Sequence, residues 1–294
     1  MHVNLLKIAN NQTNFMKKIV VPFLVVALFI SFCSCTKSSE NTTTMPPAPT
    51  YQLVWGDEFD NIGLPLATKW DYEEGFVRNN EKQYYTKQRL QNAHVENGIL
   101  TIEGRTENFG GANYTSASLN TKGIATWKYG KIEVRAKLPS GSGSWPAIWM
   151  LSNEFPTVTP WPKCGEIDIM EAIGKEPGMV YATVHYGNLW PDAKNKSGNI
   201  YKGSTYSEYH VYAVEWTADF MKFSIDNNNY FTFTRTDLLP GYSYPFDKPF
   251  YLLLNLAIGG DWGGGNPAFP PFGIDNGSFP QKLMIDYVRV YQKL

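Results

Sequence analysis

The run FSIDNNNYFTF, residues 223–233, holds the fold in miniature. Phe223 and Ile225 share one face of an extended segment, a polar turn of Asp226 to Asn229 follows, and Phe231 and Phe233 share a face on the return. Period-two alternation on both sides of turn-forming residues is a β-hairpin. The same pattern recurs outward in both directions, at 99–103, 131–138, 211–216, 251–257 and 284–291, with Gly, Pro, Asn and Asp between the segments. Helical periodicity is almost absent, so the chain is expected to be all-β. Segments near 55–59 and 285–291 both look like strands, so the two ends can close one sheet together. One β-sandwich without internal repeats is expected over residues 50–294.

Residues 1–49 have a different logic. Lys17 and Lys18 precede an uncharged apolar stretch, 19–32, too short to span a bilayer and suited to a secretory signal. It ends in Ser31, Phe32, Cys33, Ser34 and Cys35, where a small residue stands directly before Cys35, resembling the box at which bacterial lipoproteins are cleaved and acylated. Residues 1–35 are thus expected to be a lipoprotein signal with Met16 as its start and Cys35 as the lipid anchor; Cys33 fits less well because bulky Phe32 precedes it. Residues 36–49, rich in Ser, Thr, Asn and Pro, are expected to be a flexible tether. An exported domain on a bacterial membrane or cell surface follows.

Only Cys164 remains in the folded part, so no intramolecular disulfide is available and Cys164 is expected to be a buried structural thiol. A formal net charge of −1 offers no field for nucleic acid, and a neutral partner is expected for a monomeric domain. Nine Trp and eighteen Tyr exceed what a core of this size needs, and their polar edges are costly to bury unpaired. Some of these rings are expected to line a groove, where the flat C–H faces of sugars stack on them, so the aromatic excess points to polysaccharide.

The run GEIDIME, 165–171, sets three carboxylates among apolar residues, which is costly unless they are used. On a regular strand Glu166 and Asp168 point the same way and Glu171 the other. One extra residue near Ile169 and Met170 would bring Glu171 back, and bulges beside active sites re-aim side chains in this manner. Glu166 and Glu171 could then flank a glycosidic bond at the ~5–5.5 Å of a retaining glycosidase. Repulsion among the three charges would hold a proton on one of them to higher pH, as a general acid requires. The spacing alone also suits an edge strand with a charged outer face.

Around this run the chain resembles the laminarinase-type members of glycoside hydrolase family 16. The resemblance is carried by WGDEF (55–59), NNEKQYYT (79–86), YTSASLNTKG (114–123), YGKIEVRAKLP (129–139), WPAIWML (145–151), GEIDIMEAIG (165–174), ATVHYG (182–187), HVYAVEW (210–216), LNLAIGGDW (254–262) and IDYVRVYQ (285–292). It implies a jelly-roll sandwich with an open concave cleft that hydrolyses internal β-1,3-glucosidic bonds with retention. By motif position Glu166 would be the nucleophile, Asp168 its electrostatic helper and Glu171 the acid/base. Asn80, Glu81, Trp145, Trp149, His185 and Trp262 would contact β-glucan. No cofactor is implied for catalysis; Glu58, the Gly98 carbonyl and Asp286 match positions that often hold a structural calcium, and equally suit turn and strand-end polar groups. Two rival readings stand beside this one. A mixed-linkage β-1,3-1,4-glucanase or marine galactanase would use the same sandwich, and a non-catalytic glycan-binding lipoprotein would use the same cleft without cutting.

Overall fold

A computed structural model describes residues 50–264 and 273–293. The expected signal (1–35), the anchor Cys35 and the tether (36–49) lie outside the described residues. Among those described, two β-sheets of ten and seven strands face each other as a jelly-roll sandwich. The opening hairpin is formed as read: strands Phe220–Ile225 and Asn228–Thr234 pair antiparallel. Asp226 and Asn227 alone make the turn, at φ 51° and 63°. Both residue types tolerate the left-handed conformation that a two-residue hairpin needs. Phe223 and Phe231 stack across the pair with ring centroids 5.2 Å apart and are buried. Full burial of a Phe of this kind contributes about 1.5–3 kcal/mol.

The two ends close the larger sheet, since Tyr51–Asp57 pairs antiparallel along Gln281–Lys293 from Tyr51 opposite Lys293 to Asp57 opposite Val288. The first strand ends earlier than the sequence pattern suggests. Phe59 has left the ladder at φ 54° and is buried against Trp70, while Asp57 accepts the Trp70 indole N–H at 2.8 Å. Strand Gly130–Lys137 alternates strictly between buried and half-exposed residues. Its Ile132, Val134 and Ala136 enter one core with Val214, Trp216, Ile285 and Val288 of neighbouring strands.

The smaller sheet runs, in spatial order, Ala193–Tyr201, Met179–Gly187, Glu166–Glu171, Ser144–Ser152, Phe250–Ile258, Ser118–Asn120 and Asp71–Tyr72. Its inner face supplies Ile148, Met150, Ile167, Val184, Leu252 and Leu254 to the core. The outer face of its middle strands is the floor of a cleft.

Candidate active site

The strand Glu166–Glu171 owes its function to a counting mismatch. Glu166 lies opposite Leu151 and Glu171 opposite Ala147, so six residues on one strand match five on the next, and the register slips between Asp168 and Met170. The same slip occurs against the other neighbour, where Glu166 faces His185 and Glu171 faces Tyr181. Ile169 and Met170 consequently both enter the core, and Glu166, Asp168 and Glu171 all line the cleft. The bulge stands where the spacing placed it.

Three rows of side chains cross the floor on the strand register. Leu151, Glu166 and His185 form one, Trp149, Asp168 and Thr183 the next, and Ala147, Glu171 and Tyr181 the third. His185 Nε2 is 3.1 Å from Asp168 Oδ2 and 3.7 Å from Glu166 Oε1. Burial by itself would lower the imidazole pKa, but the hydrogen bond and charge of Asp168, with Glu166 and Glu171 behind it, lift it to about 9. A cation thus sits between two carboxylates at neutral pH.

Glu166 and Glu171 are both held above the usual carboxylate range, chiefly by burial and then by the Asp168 charge. What opposes this differs. His185, Arg78 and a hydrogen bond from Trp161 favour the charged form of Glu166. Glu171 has His185 and the Trp145 indole, which donates to Oε1 at 2.9 Å, and it is further raised by the Glu166 charge. With two cations on one carboxyl and one on the other, the site favours a charged Glu166 beside a protonated Glu171. Trp145→Phe is therefore expected to raise the Glu171 pKa and move the alkaline limb of the kcat/KM profile up by about one pH unit, the worth of a hydrogen bond to a charged group. A limb that stays in place in that variant would mean that Glu171 is not the group titrating there.

The other expected contact residues are placed as follows. Trp145 lines the cleft and meets Trp262 edge-on at 5.5 Å, and Trp262 also meets Tyr181 at 5.1 Å, so these rings close the Glu171 end. Trp149 also lines the cleft but is 6% exposed, covered by the Arg78 guanidinium 4.9 Å from its ring. Its indole N–H donates to Asn255 Oδ1 at 2.7 Å, and Asn255 donates on to the Tyr85 hydroxyl at 3.0 Å. Buried Glu81 receives Gln83 at 2.6 Å and Asn79 at 3.3 Å. Asn80 lies off the cleft wall: its amide donates to Asp261 at 2.9 Å, which ties loop 79–82 to the Gly260–Gly263 turn, and Asn79 lines the cleft instead. Cys164 is fully buried, and burial ahead of the nearby Glu166 charge pushes its thiol up to about 12, so it is inert packing.

The wall residues Glu73, Arg78, Phe155, Trp161 and Asn255 were not singled out from the sequence. Trp161 had a signal, an aromatic in the turn leading straight into Glu166, and Arg78 adjoins the NNE run. The pairing of Arg78 with Glu73, which also accepts Ser118 Oγ at 2.6 Å, had none, because it joins a loop to a distant strand.

Both carboxylates of the expected calcium set are paired with arginines. Glu58 is engaged by the Arg289 guanidinium through both oxygens at 2.8 Å, and Asp286 is paired with Arg135. A divalent cation at Glu58 and Asp286 would have to take the place of these two guanidinium groups.

A carboxylate pair on the floor of an aromatic-walled cleft is the equipment of a glycoside hydrolase. Residues 79–275 match the profile of "Glycosyl hydrolases family 16". The chain is 45% identical over 255 residues to the beta-glucanase of Rhodothermus marinus, covering 83% of this chain and 86% of that one. It is 36% identical over 280 residues to the glucan endo-1,3-beta-glucosidase A1 of Niallia circulans, covering 87% of this chain but 40% of that longer protein. The X-ray structure of the laminarinase from Rhodothermus marinus superposes with a TM-score of 0.76 at 44% identity, over 84% of this chain and 99% of that one. The chain belongs to glycoside hydrolase family 16.

Proposed function

We propose that this chain is a retaining endo-β-1,3-glucanase of the laminarinase type, with Glu166 as nucleophile and Glu171 as acid/base. The observation that carries the reading is the bulge, which sets Glu166, Asp168 and Glu171 on one cleft floor. In the first step a Glu166 oxygen attacks the anomeric carbon while Glu171 delivers its proton to the departing glycosidic oxygen. The C–O bond to the leaving chain breaks and a glycosyl ester forms. In the second step Glu171 takes a proton from water, the oxygen adds to the anomeric carbon, and the Glu166 carboxylate is released. Two inversions give net retention, and both catalytic groups come from the chain itself.

Asp168 and His185 act as an ion pair beneath the nucleophile, holding its orientation and balancing its charge. Trp145, Trp262 and the Asn79 and Glu81 loop supply stacking and hydrogen-bonding surfaces for sugar rings. Export and lipidation at Cys35 complete the reading on sequence grounds, placing the enzyme where polysaccharide is met. Reducing-end release from laminarin, lichenan and agarose in parallel tests it. Cleavage mainly of laminarin supports the β-1,3 reading. Preference for lichenan or agarose would keep the mechanism and change the substrate, and tight binding without cleavage would make the protein a glycan-capture lipoprotein.

A further inference from the structure

The loop between strands Met179–Gly187 and Ala193–Tyr201 carries Leu189 and Trp190 at 58% and 70% exposure. An exposed indole beside an exposed leucine presents a flat apolar surface on which a sugar ring can stack. The loop is firmly built. Asn188 donates to Asp192 Oδ2 at 2.8 Å, the Tyr242 hydroxyl donates to Asp192 Oδ1 at 2.7 Å, and Leu189 is bridged to Pro162. Asp192 is also paired with Lys194, so the loop presents an apolar ring on a charge-balanced base.

That ring is continuous with the cleft. Trp190 leans on Trp161 with centroids 5.9 Å apart and planes 32° from parallel, and Trp161 lies 6.0 Å from the His185 ring. His185 in turn reaches Glu166 at 3.7 Å. The sheet order gives this path a direction. Loop residues 73–82 wall the cleft over the strands on one side of Glu166–Glu171: Glu73 bonds Ser118, Arg78 covers Trp149, and Lys82 N–H donates to Ile258 O at 2.8 Å. Strand Met179–Gly187, which leads into the Trp190 loop, lies on the other side. A retaining enzyme must grip the sugar that stays on its nucleophile and release the leaving chain before water enters. The side walled by residues 73–82 suits the first task, and the side that leads through Trp161 to the exposed Trp190 the second.

We infer that Trp190, backed by Trp161, is a stacking platform for the departing end of the glucan, a subsite beyond the cleavage point on the reducing side. This rests on the glucanase reading and adds Trp190 as a residue that holds the departing chain. The test compares wild type with Trp190→Ala and Trp190→Phe on β-1,3-gluco-oligosaccharides of increasing length and on an aryl β-glycoside, whose small leaving group stops short of the platform. The ratio of kcat/KM for long oligosaccharide to that for aryl glycoside is expected to fall about tenfold in Trp190→Ala, roughly the worth of one ring contact, and to recover largely in Trp190→Phe. Equal losses on both substrates would mean that Trp190 acts through Trp161 and His185 on the carboxylates, and no loss on either would assign the ring to another surface; each result overturns the platform. Wild type that leaves the β-1,3 series uncut overturns the functional reading itself and is seen before any variant is compared.

Discussion

Glu166→Ala is expected to lose turnover of β-1,3-glucan by about 10⁴-fold or more, equivalent to ~5.5 kcal/mol of transition-state stabilisation, with its fold intact. The fold survives because the Glu166 side chain faces the cleft and the core is held by its neighbours Ile167, Ile169 and Met170. Removing the carboxylate also removes a charge crowded by Asp168, so thermal unfolding should not move to lower temperature. The space left beside His185 can admit a small anion. With azide and an activated β-glycoside, the variant is expected to form the α-glycosyl azide, since azide enters from the face the carboxylate occupied. A β-azide as product would move the nucleophile to Glu171 and reverse the assignment.

In Glu171→Gln the proton donor is replaced by an amide of the same shape, so glucan is still bound while its hydrolysis falls about 10²–10⁴-fold. A leaving group that departs without a proton separates the two steps. An aryl glycoside of low leaving-group pKa should still esterify Glu166, and the ester should accumulate because no base activates water. Stopped-flow release of the phenol would then show a burst followed by a slow steady state, and retention of wild-type steady-state rates would sink the acid/base role.

The pH dependence of the wild type follows from the same residues. Glu171 must be protonated to act, and burial with the Asp168 charge raises its pKa, so activity persists into higher pH and is lost as pH rises through that raised value. Glu166 must be ionised, so activity is lost at the acid end as pH falls through its own pKa, which burial and the Asp168 charge raise above the usual carboxylate range and the cations of His185 and Arg78 only partly bring back. The alkaline limb should disappear from the first step in Glu171→Gln while the acid limb remains.

Much of this was legible from residues in order. Alternation at 131–138 and in the hairpin at 223–233 needs only the geometry of one strand and the turn chemistry of Asp and Asn, both local properties. The bulge was legible because GEIDIME puts two adjacent apolar residues, Ile169 and Met170, between carboxylates that otherwise alternate. Less visible was the sorting of the aromatics. Trp70 and Trp216 are core, Trp149 is a floor residue under an arginine, and Trp190 stands in solvent, although all are the same residue in an alternating or loop context. Asn80 and Asn79 differ in the same way: one ties two loops together and the other faces the cleft, a choice made by Asp261, 181 positions from Asn80.

The all-β class, the strand that bears the carboxylates and the extra residue that gathers them on one face can all be read from residue order. Those features depend on near neighbours along the chain, where the period of a strand is fixed by covalent geometry. Tertiary structure alone decided that Arg78 covers Trp149, that Glu58 and Asp286 belong to arginines, that His185 lies between two carboxylates, and that one side of the cleft is walled while the other ends in Trp190. Each of these depends on which strands and loops lie side by side, and that is set by the burial of a shared core drawn from the whole chain, which no local pattern encodes.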